Sequence, residues 1–345
     1  GNSGLFTLNE TICIIPQRIG LGGPASFQAR FSSVLTARGY KISHDPLDPA
    51  NNVILVIGGT RQLNLLRQAS RNGVRIVQRL NGMNWVHRHV RTGLRHFLRA
   101  EVNNFILASI RHMADRIIYQ SNFSRDWWQR VRGETRYPGA VIYNGVDLDQ
   151  FSPLGEGTPP TDHMRILMVE GNLGGGYEGG LDSAVQMIQM LSRRQERKIE
   201  LMVVGNAPDG LRRQYESRGV EITWRGVVKR EVIPAIDRSA HMLFSADVNA
   251  ACPNSVIEAL ACGLPVIGYN TGALSELIGS EAGAVAAYGG DPWKLQKPDV
   301  HSLADAAQQV YLNLGRYKKA ARLRAEEMFD IQYVSNLYLD VLFGD

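Results

Sequence analysis

What most limits the folds open to this 345-residue chain is an alternation of apolar runs and helical stretches that occurs twice. Runs at 11–15 (TICII), 53–57 (VILVI), 74–78 (VRIVQ), 116–119 (RIIY) and 140–143 (AVIY) are separated by helix-like stretches such as 24–38 and 61–71. That order reads as βα units around a parallel sheet. A polar stretch, SPLGEGTPPTD at 152–162, then breaks the pattern, and Pro159-Pro160 fits neither a helix interior nor a central strand. It is read as the linker. The pattern restarts with RILMV (165–169), IELMVV (199–204), EITW (221–224), HMLFS (241–245), PVIG (265–268) and GAVA (283–286). The expectation is an α/β chain of two doubly wound domains, 1–155 and 163–328, facing a central cleft, with ligands at the carboxyl ends of the strands. Residues 317–342 form a long helical pattern with a break near Asp330. The terminal helix, about 329–345, is expected to pack back on the first domain.

Composition agrees with two cores: 44% of the residues are hydrophobic, in a chain too long for one ordinary core. Cys13, Cys252 and Cys262 are odd in number and lie in or beside apolar segments, which points to buried small side chains rather than disulfides and to a reducing compartment. No apolar run reaches the ~18 residues of a membrane span, and GNSGLFTLNE lacks the basic and apolar parts of a secretory signal, so a cytoplasmic protein is expected. Charge is uneven. Residues 1–150 carry 19 Lys+Arg against 9 Asp+Glu, and the remainder 19 against 24. The basic first part should therefore meet an anionic partner.

Two segments carry ligand chemistry. In DVNAACPNSVIEALACGLPVIG (247–268), a helix starting near Asn254 places Val256, Ile257, Leu260 and Ala261 on one side and Asn254, Ser255 and Glu258 on the other. Asn254 reads as its cap, and Gly263 with Pro265 ends it. The N–H groups of Asn254, Ser255 and Val256 could bind an anion, while Glu258, all acceptor, suits the vicinal hydroxyls of a ribose. A capped amphipathic helix with a solvated Glu258 is the competing reading. The second segment, EGNLGGGYEGG (170–180), has six glycines in eleven positions after a strand. Such a loop can cradle phosphate through backbone N–H groups, but this one contains no Lys or Arg. A phosphate nest at Gly174, Gly175 and Gly176 and a mere gap both remain open.

EALACGLPVIG, together with VIYNGVDLDQFSP (141–153), closely resembles the retaining glycosyltransferases of family 4. GLGGPASFQARFSSVLTARGY (20–40), YQSNFS (119–124), VVGNAPDG (203–210) and WRGVVKREVIPAI (224–236) match in the same order, over nearly the whole chain. The resemblance implies the GT-B fold of two Rossmann-like domains. It also implies transfer of a sugar from a nucleotide-diphosphate sugar to a glycan or lipid-linked acceptor, with no metal or other cofactor. Glu258 would bind the donor ribose as the second Glu of an E-x7-E pattern. Gly205, Arg225, Gly226 and Val228 would surround the donor, and the loop at Gly22 and Gly23 would approach the donor phosphates or the acceptor, or else form only a tight turn.

Four positions depart from the family pattern. Ala250 stands where the first Glu belongs; Asn172 and Glu178 stand where an Arg and a Lys would neutralise the diphosphate; and Asn81 replaces a strand-end His. Arg79, Arg225, Lys229 and Arg230 are candidate replacements for the missing charge. These departures keep a second reading in view, a relative that binds nucleotide or glycan, or serves as a partner subunit, without turnover. In VHRHVRTGLRHFLR (86–99), Arg88, Arg91, Arg95 and Arg99 are spaced as one stripe of a helix. That stripe suits an anionic membrane surface at the inner face of the membrane or, more plainly, a solvated face. No H-E-x-x-H, C-x-x-C or G-x-S-x-G sequence occurs, nor a nucleic-acid module, so a zinc site, a serine hydrolase and nucleic-acid binding find no support.

Overall fold

A computed structural model describes residues 10–20, 22–91, 93–137, 139–173, 178–194 and 197–344. The chain divides into two units, one formed by Gly1–Gly145 with Ile331–Asp345 and the other by Val146–Asp330.

In the first unit the apolar runs become β1 (Thr11–Ile15), β2 (Lys41–Ser43), β3 (Asn51–Ile57), β4 (Arg75–Leu80), β5 (Arg116–Tyr119) and β6 (Ala140–Val141). They form one parallel sheet in the order β2-β1-β3-β4-β5-β6. Helices α1 (Gly23–Ala37), α2 (Leu63–Arg71), α3 (Leu94–Met113) and α4 (Asn122–Arg132) make the crossovers. The two-residue period of the strands sorts the core. Ile12, Ile14, Val53, Leu55 and Val77 pack with Phe27, Phe31 and Leu35 of α1, while Cys13, Ile15, Ile54, Val56 and Ile76 pack with Leu66 of α2 and Ile110 of α3. Edge strand β2 has no apolar run to announce it.

The second unit repeats the plan with β7 (Met164–Asn172), β8 (Ile199–Asn206), β9 (Glu221–Gly226), β10 (Met242–Ser245), β11 (Val266–Tyr269) and β12 (Gly283–Ala286). Its parallel order is β12-β11-β10-β7-β8-β9, which reverses between β7 and β10. Helices α5 (Gly179–Arg194), α6 (Asp209–Glu216), α7 (Ile233–Arg238), α8 (Asn254–Ala261), α9 (Leu274–Ile278), α10 (Val300–Leu312) and α11 (Leu314–Met328) complete it. Residues 152–162 lie in this unit, where Arg238 donates to the carbonyls of Ser152 and Glu156 at 2.9 and 2.6 Å.

After a break at Phe329-Asp330 the chain returns to the first unit as α12 (Ile331–Phe343). Its buried residues Ile331, Val334, Ser335, Tyr338, Leu339 and Leu342 follow the helical repeat, so one stripe faces the sheet. The Tyr338 ring lies 5.0 Å from that of Phe27 and 5.1 Å from that of Phe31. Cys13, Cys252 and Cys262 are buried free thiols. Among the described residues no helix is long and apolar enough to cross a membrane.

Candidate functional site

Ligands of doubly wound sheets bind beyond the carboxyl ends of the strands, where the strand order reverses. In the second unit that point lies between β7 and β10. Near the end of β7 stands Glu170, and just past β10 stands Asp247. Lost hydration is the main cause holding the Glu170 carboxyl well above the ordinary carboxylate range; the Asp247 charge adds to it, and the Ala246 backbone opposes it. Desolvation also raises Asp247. Of the two, Glu170 is raised further, so its neutral form is the one most favoured. Sequence reasoning missed this pair, having searched the loop for cations.

Gly205 has a structural reason to be glycine. It is the penultimate residue of β8, at φ 141°, and a Cβ there would collide with the Glu170 carbonyl. Asn172 prolongs β7 by pairing with Asn206 of β8. Gly174, Gly175 and Gly176 lie outside the described residues. Glu178 precedes α5, its carbonyl accepting from the Asp182 N–H at 2.9 Å. An acidic side chain at a helix N-terminus is favoured by the helix dipole, a physical reason for Glu rather than Lys there.

α8 departs from expectation in two ways. The cap position is Pro253, and Asn254 is the first helical residue. Pro253 offers no side-chain acceptor, so no side-chain cap closes the first turn formed by Asn254, Ser255 and Val256. The helix is also not amphipathic in its surroundings: Val256 through Ala261 are all buried, and Glu258 is only 8% exposed. A solvated Glu258 is therefore excluded, and the reason is tertiary, since α7 and α11 pack against α8. Beneath it Asp237 of α7 is buried, with Oδ2 lacking a hydrogen-bond partner. Burial, followed by the charge of Glu258, pushes the Asp237 carboxyl well up, which favours its neutral form.

At the end of β9, Arg225 is exposed, Gly226 has φ 65°, and Val228 is half-buried in the following turn. The exposed Arg225 can meet an anion. Among the described residues no group of three His, Cys, Asp or Glu side chains could hold a metal ion.

In the first unit, Asn81 follows β4 and is exposed. Its carbonyl accepts from Ser124 Oγ at 3.0 Å and Trp128 Nε1 at 2.7 Å, which fixes its backbone. Gly22 is the N-cap residue of α1 and Gly23 its first residue; open space surrounds the Cβ position at Gly22. Arg79 is not a spare cation. Its Nε donates to Tyr338 Oη at 3.1 Å and its Nη2 to Asn144 Oδ1 at 2.6 Å, with the guanidinium 3.9 Å over the Phe27 ring. The arginine stripe also needs correction: only Arg95 and Arg99 lie on α3, which starts at Leu94 after Gly93 at φ 88°. Arg88 sits in a separate 3-10 turn, Val86–Arg88, paired with Glu101 at 2.8 Å, and Arg91 lies between the two helices.

Two Rossmann-like units of this topology define the GT-B class of fold. Sucrose-phosphate synthase from Thermosynechococcus elongatus shares it at a TM-score of 0.71 and 18% identity, over 95% of this chain and 97% of that one. Anabaena HepE in complex with UDP and glucose shares it at 0.67 and 16%, over 96% and 99%. Residues 165–313, all within the second unit, match the family described as Glycosyl transferases group 1. Among curated relatives, the GDP-mannose-dependent alpha-(1-6)-phosphatidylinositol dimannoside mannosyltransferase of Mycobacterium tuberculosis is 24% identical over 224 residues, 63% of this chain and 55% of that protein. The 2-deoxystreptamine N-acetyl-D-glucosaminyltransferase of Streptomyces fradiae is 27% identical over 138 residues, 37% of this chain and 33% of that protein. The chain thus spans about half the length of the first relative and a third of the second.

Proposed function

We propose that this protein transfers a sugar from a nucleotide-diphosphate sugar to a glycan or lipid-linked acceptor, with retention of configuration. The observation that carries the reading is Glu258, a buried carboxylate one turn into a helix whose N-terminus has no side-chain cap. The first-turn N–H groups would take the diphosphate and Glu258 the ribose hydroxyls, with Gly205, Arg225, Gly226 and Val228 around the rest of the nucleotide. On the first unit, Asn81 directly follows β4 and Gly22 and Gly23 open α1; these are the acceptor-binding candidates. The C1–O bond to the phosphate breaks as the acceptor oxygen bonds to C1 on the same face, and the acceptor proton passes to the departing phosphate oxygen. No protein nucleophile and no metal are needed. What the protein supplies is stabilisation of the charge growing on the diphosphate. The curated relatives are named as a mannosyltransferase using GDP-mannose and an N-acetylglucosaminyltransferase, which supports a hexose donor.

Glu170, Asp247 and Ala250 favour one competing reading, a protein that binds nucleotide without turnover. Proton NMR of the anomeric signals during incubation with GDP- and UDP-hexoses separates the two. Consumption of one donor to give an α-configured product, abolished in Glu258→Ala, is the expected result. A β-configured product from an α-linked donor would remove retention, and binding without consumption would establish the competing reading.

A further inference from the structure

The first unit has a face that neither the donor site nor the core accounts for. On α3, Leu94, Leu98, Val102 and Phe105 are 74%, 54%, 53% and 65% exposed, and their spacing places them on one stripe of the helix. Exposed large apolar side chains in a contiguous row mark an interaction surface. Along the same helix lies a groove of about 550 Å³. Arg61 and Arg99 supply its positive charge, and Leu98, Val102 and Ile106 an apolar wall.

The groove is built rather than incidental. Its floor is the loop after β3, at the strand-order reversal of the first sheet, where ligands of such sheets bind. Gly59 allows that loop to lie on α3, because a Cβ there would come within 3.1 Å of Ile106 Cγ2 and 3.2 Å of Leu107 Cδ2. Glu101 is the sole acidic residue of α3, and it is engaged by Arg88 at 2.8 Å and His87 at 2.7 Å. Arg91, Arg95 and Arg99 are exposed beside the stripe.

We propose that this face lies on an anionic lipid bilayer, with a lipid phosphate held between Arg61 and Arg99 and the stripe from Leu94 to Phe105 at the acyl boundary. Charge complementarity selects this occupant. A second copy would bring arginine against arginine, whereas anionic headgroups attract basic side chains and the acyl boundary takes the apolar stripe. The inference deepens the lipid-linked acceptor in the function proposed above and replaces the arginine set read from sequence with one centred on Arg61, Arg95 and Arg99.

Co-sedimentation of the whole chain with phosphatidylcholine vesicles, with and without phosphatidylglycerol, tests it without any transfer reaction. Binding is expected only to the anionic vesicles, weakened about 30-fold by the double variant Arg61→Gln/Arg99→Gln, at roughly one contact's worth of headgroup attraction per arginine. Leu98→Ser/Phe105→Ser should also abolish it, and since both side chains are exposed in the native fold, thermal unfolding should not change. Equal binding to neutral vesicles, no binding to either, or full binding by both variants would overturn the proposal. So would self-association in solution that the Leu98→Ser/Phe105→Ser variant abolishes, because the stripe would then pair two copies. Vesicle binding that persists in a protein unable to bind nucleotide would sink the donor-site reading and leave this one standing.

Discussion

At Glu170 the chain carries a carboxyl where the family it resembles gathers positive charge, and the carboxyl's environment decides what it does to a diphosphate. Lost hydration and the nearby Asp247 raise its pKa, which favours the neutral form, able to donate a hydrogen bond. Ionised, it would repel the ligand. Nucleoside diphosphate affinity should therefore fall as pH rises through the raised pKa, by about tenfold across the transition. Glu170→Gln should flatten that slope, and the ratio of wild-type to variant affinity cancels the ionisation of the nucleotide itself. Parallel pH profiles for the two proteins would show that Glu170 does not face the phosphates. Stability follows the same sign. An acid whose folded pKa is raised is most favourable below its unfolded pKa and costs stability as pH climbs toward the folded value, so Glu170→Gln should stabilise the second unit at neutral and alkaline pH.

Among the elements, α12 is the one whose anchoring rests most on a few side chains. Tyr338 is fully buried between α1 and the sheet, against Phe27 and Phe31, and accepts from Arg79 Nε. Tyr338→Ala should cost the first unit about 3–5 kcal/mol in urea unfolding, the range for emptying a buried aromatic site. Tyr338→Phe keeps the ring but takes a partner from a buried guanidinium, and about 1–3 kcal/mol is expected. If both variants unfold with the wild type, α12 contributes no stability to that unit. α8 and α3 show where the helical period misleads. The repeat in 254–261 describes two faces, yet packing from both sides buries Glu258, which no single-helix pattern could reveal. In 86–99 the arginine spacing suggested one helix, but Gly93, at a positive φ, stands immediately before α3 and separates it from the 3-10 turn.

On the scale of the whole molecule, two parallel doubly wound sheets were legible because strands buried on both faces read as unbroken apolar runs, from TICII to GAVA, with crossover helices between them. The three-residue edge strand Lys41–Ser43 escaped because Lys41 is exposed, Ile42 and Ser43 are only partly buried, and its sequence has no apolar run. Parts of the candidate site were legible for a local reason. Asn254, Ser255 and Glu258 are neighbours in sequence, and Gly205 and Gly226 stand next to and at strand ends. Glu170 and Asp247 were not legible, because only the crossover that sets β10 beside β7 brings them together. Asp237 escaped for the same reason, being joined to Glu258 by the packing of α7 on α8.

The central claim is that α8 and Glu258 hold a nucleoside diphosphate even though the loop expected to neutralise it lacks Arg and Lys. Calorimetric titration of the whole chain with UDP, GDP, ADP and CMP, beside Glu258→Gln, tests it most directly. The account predicts that one diphosphate binds and that the variant weakens it about 10- to 100-fold, the loss of hydrogen bonds to a charged acceptor. No nucleotide binding tighter than millimolar, or equal binding by wild type and Glu258→Gln, would contradict it.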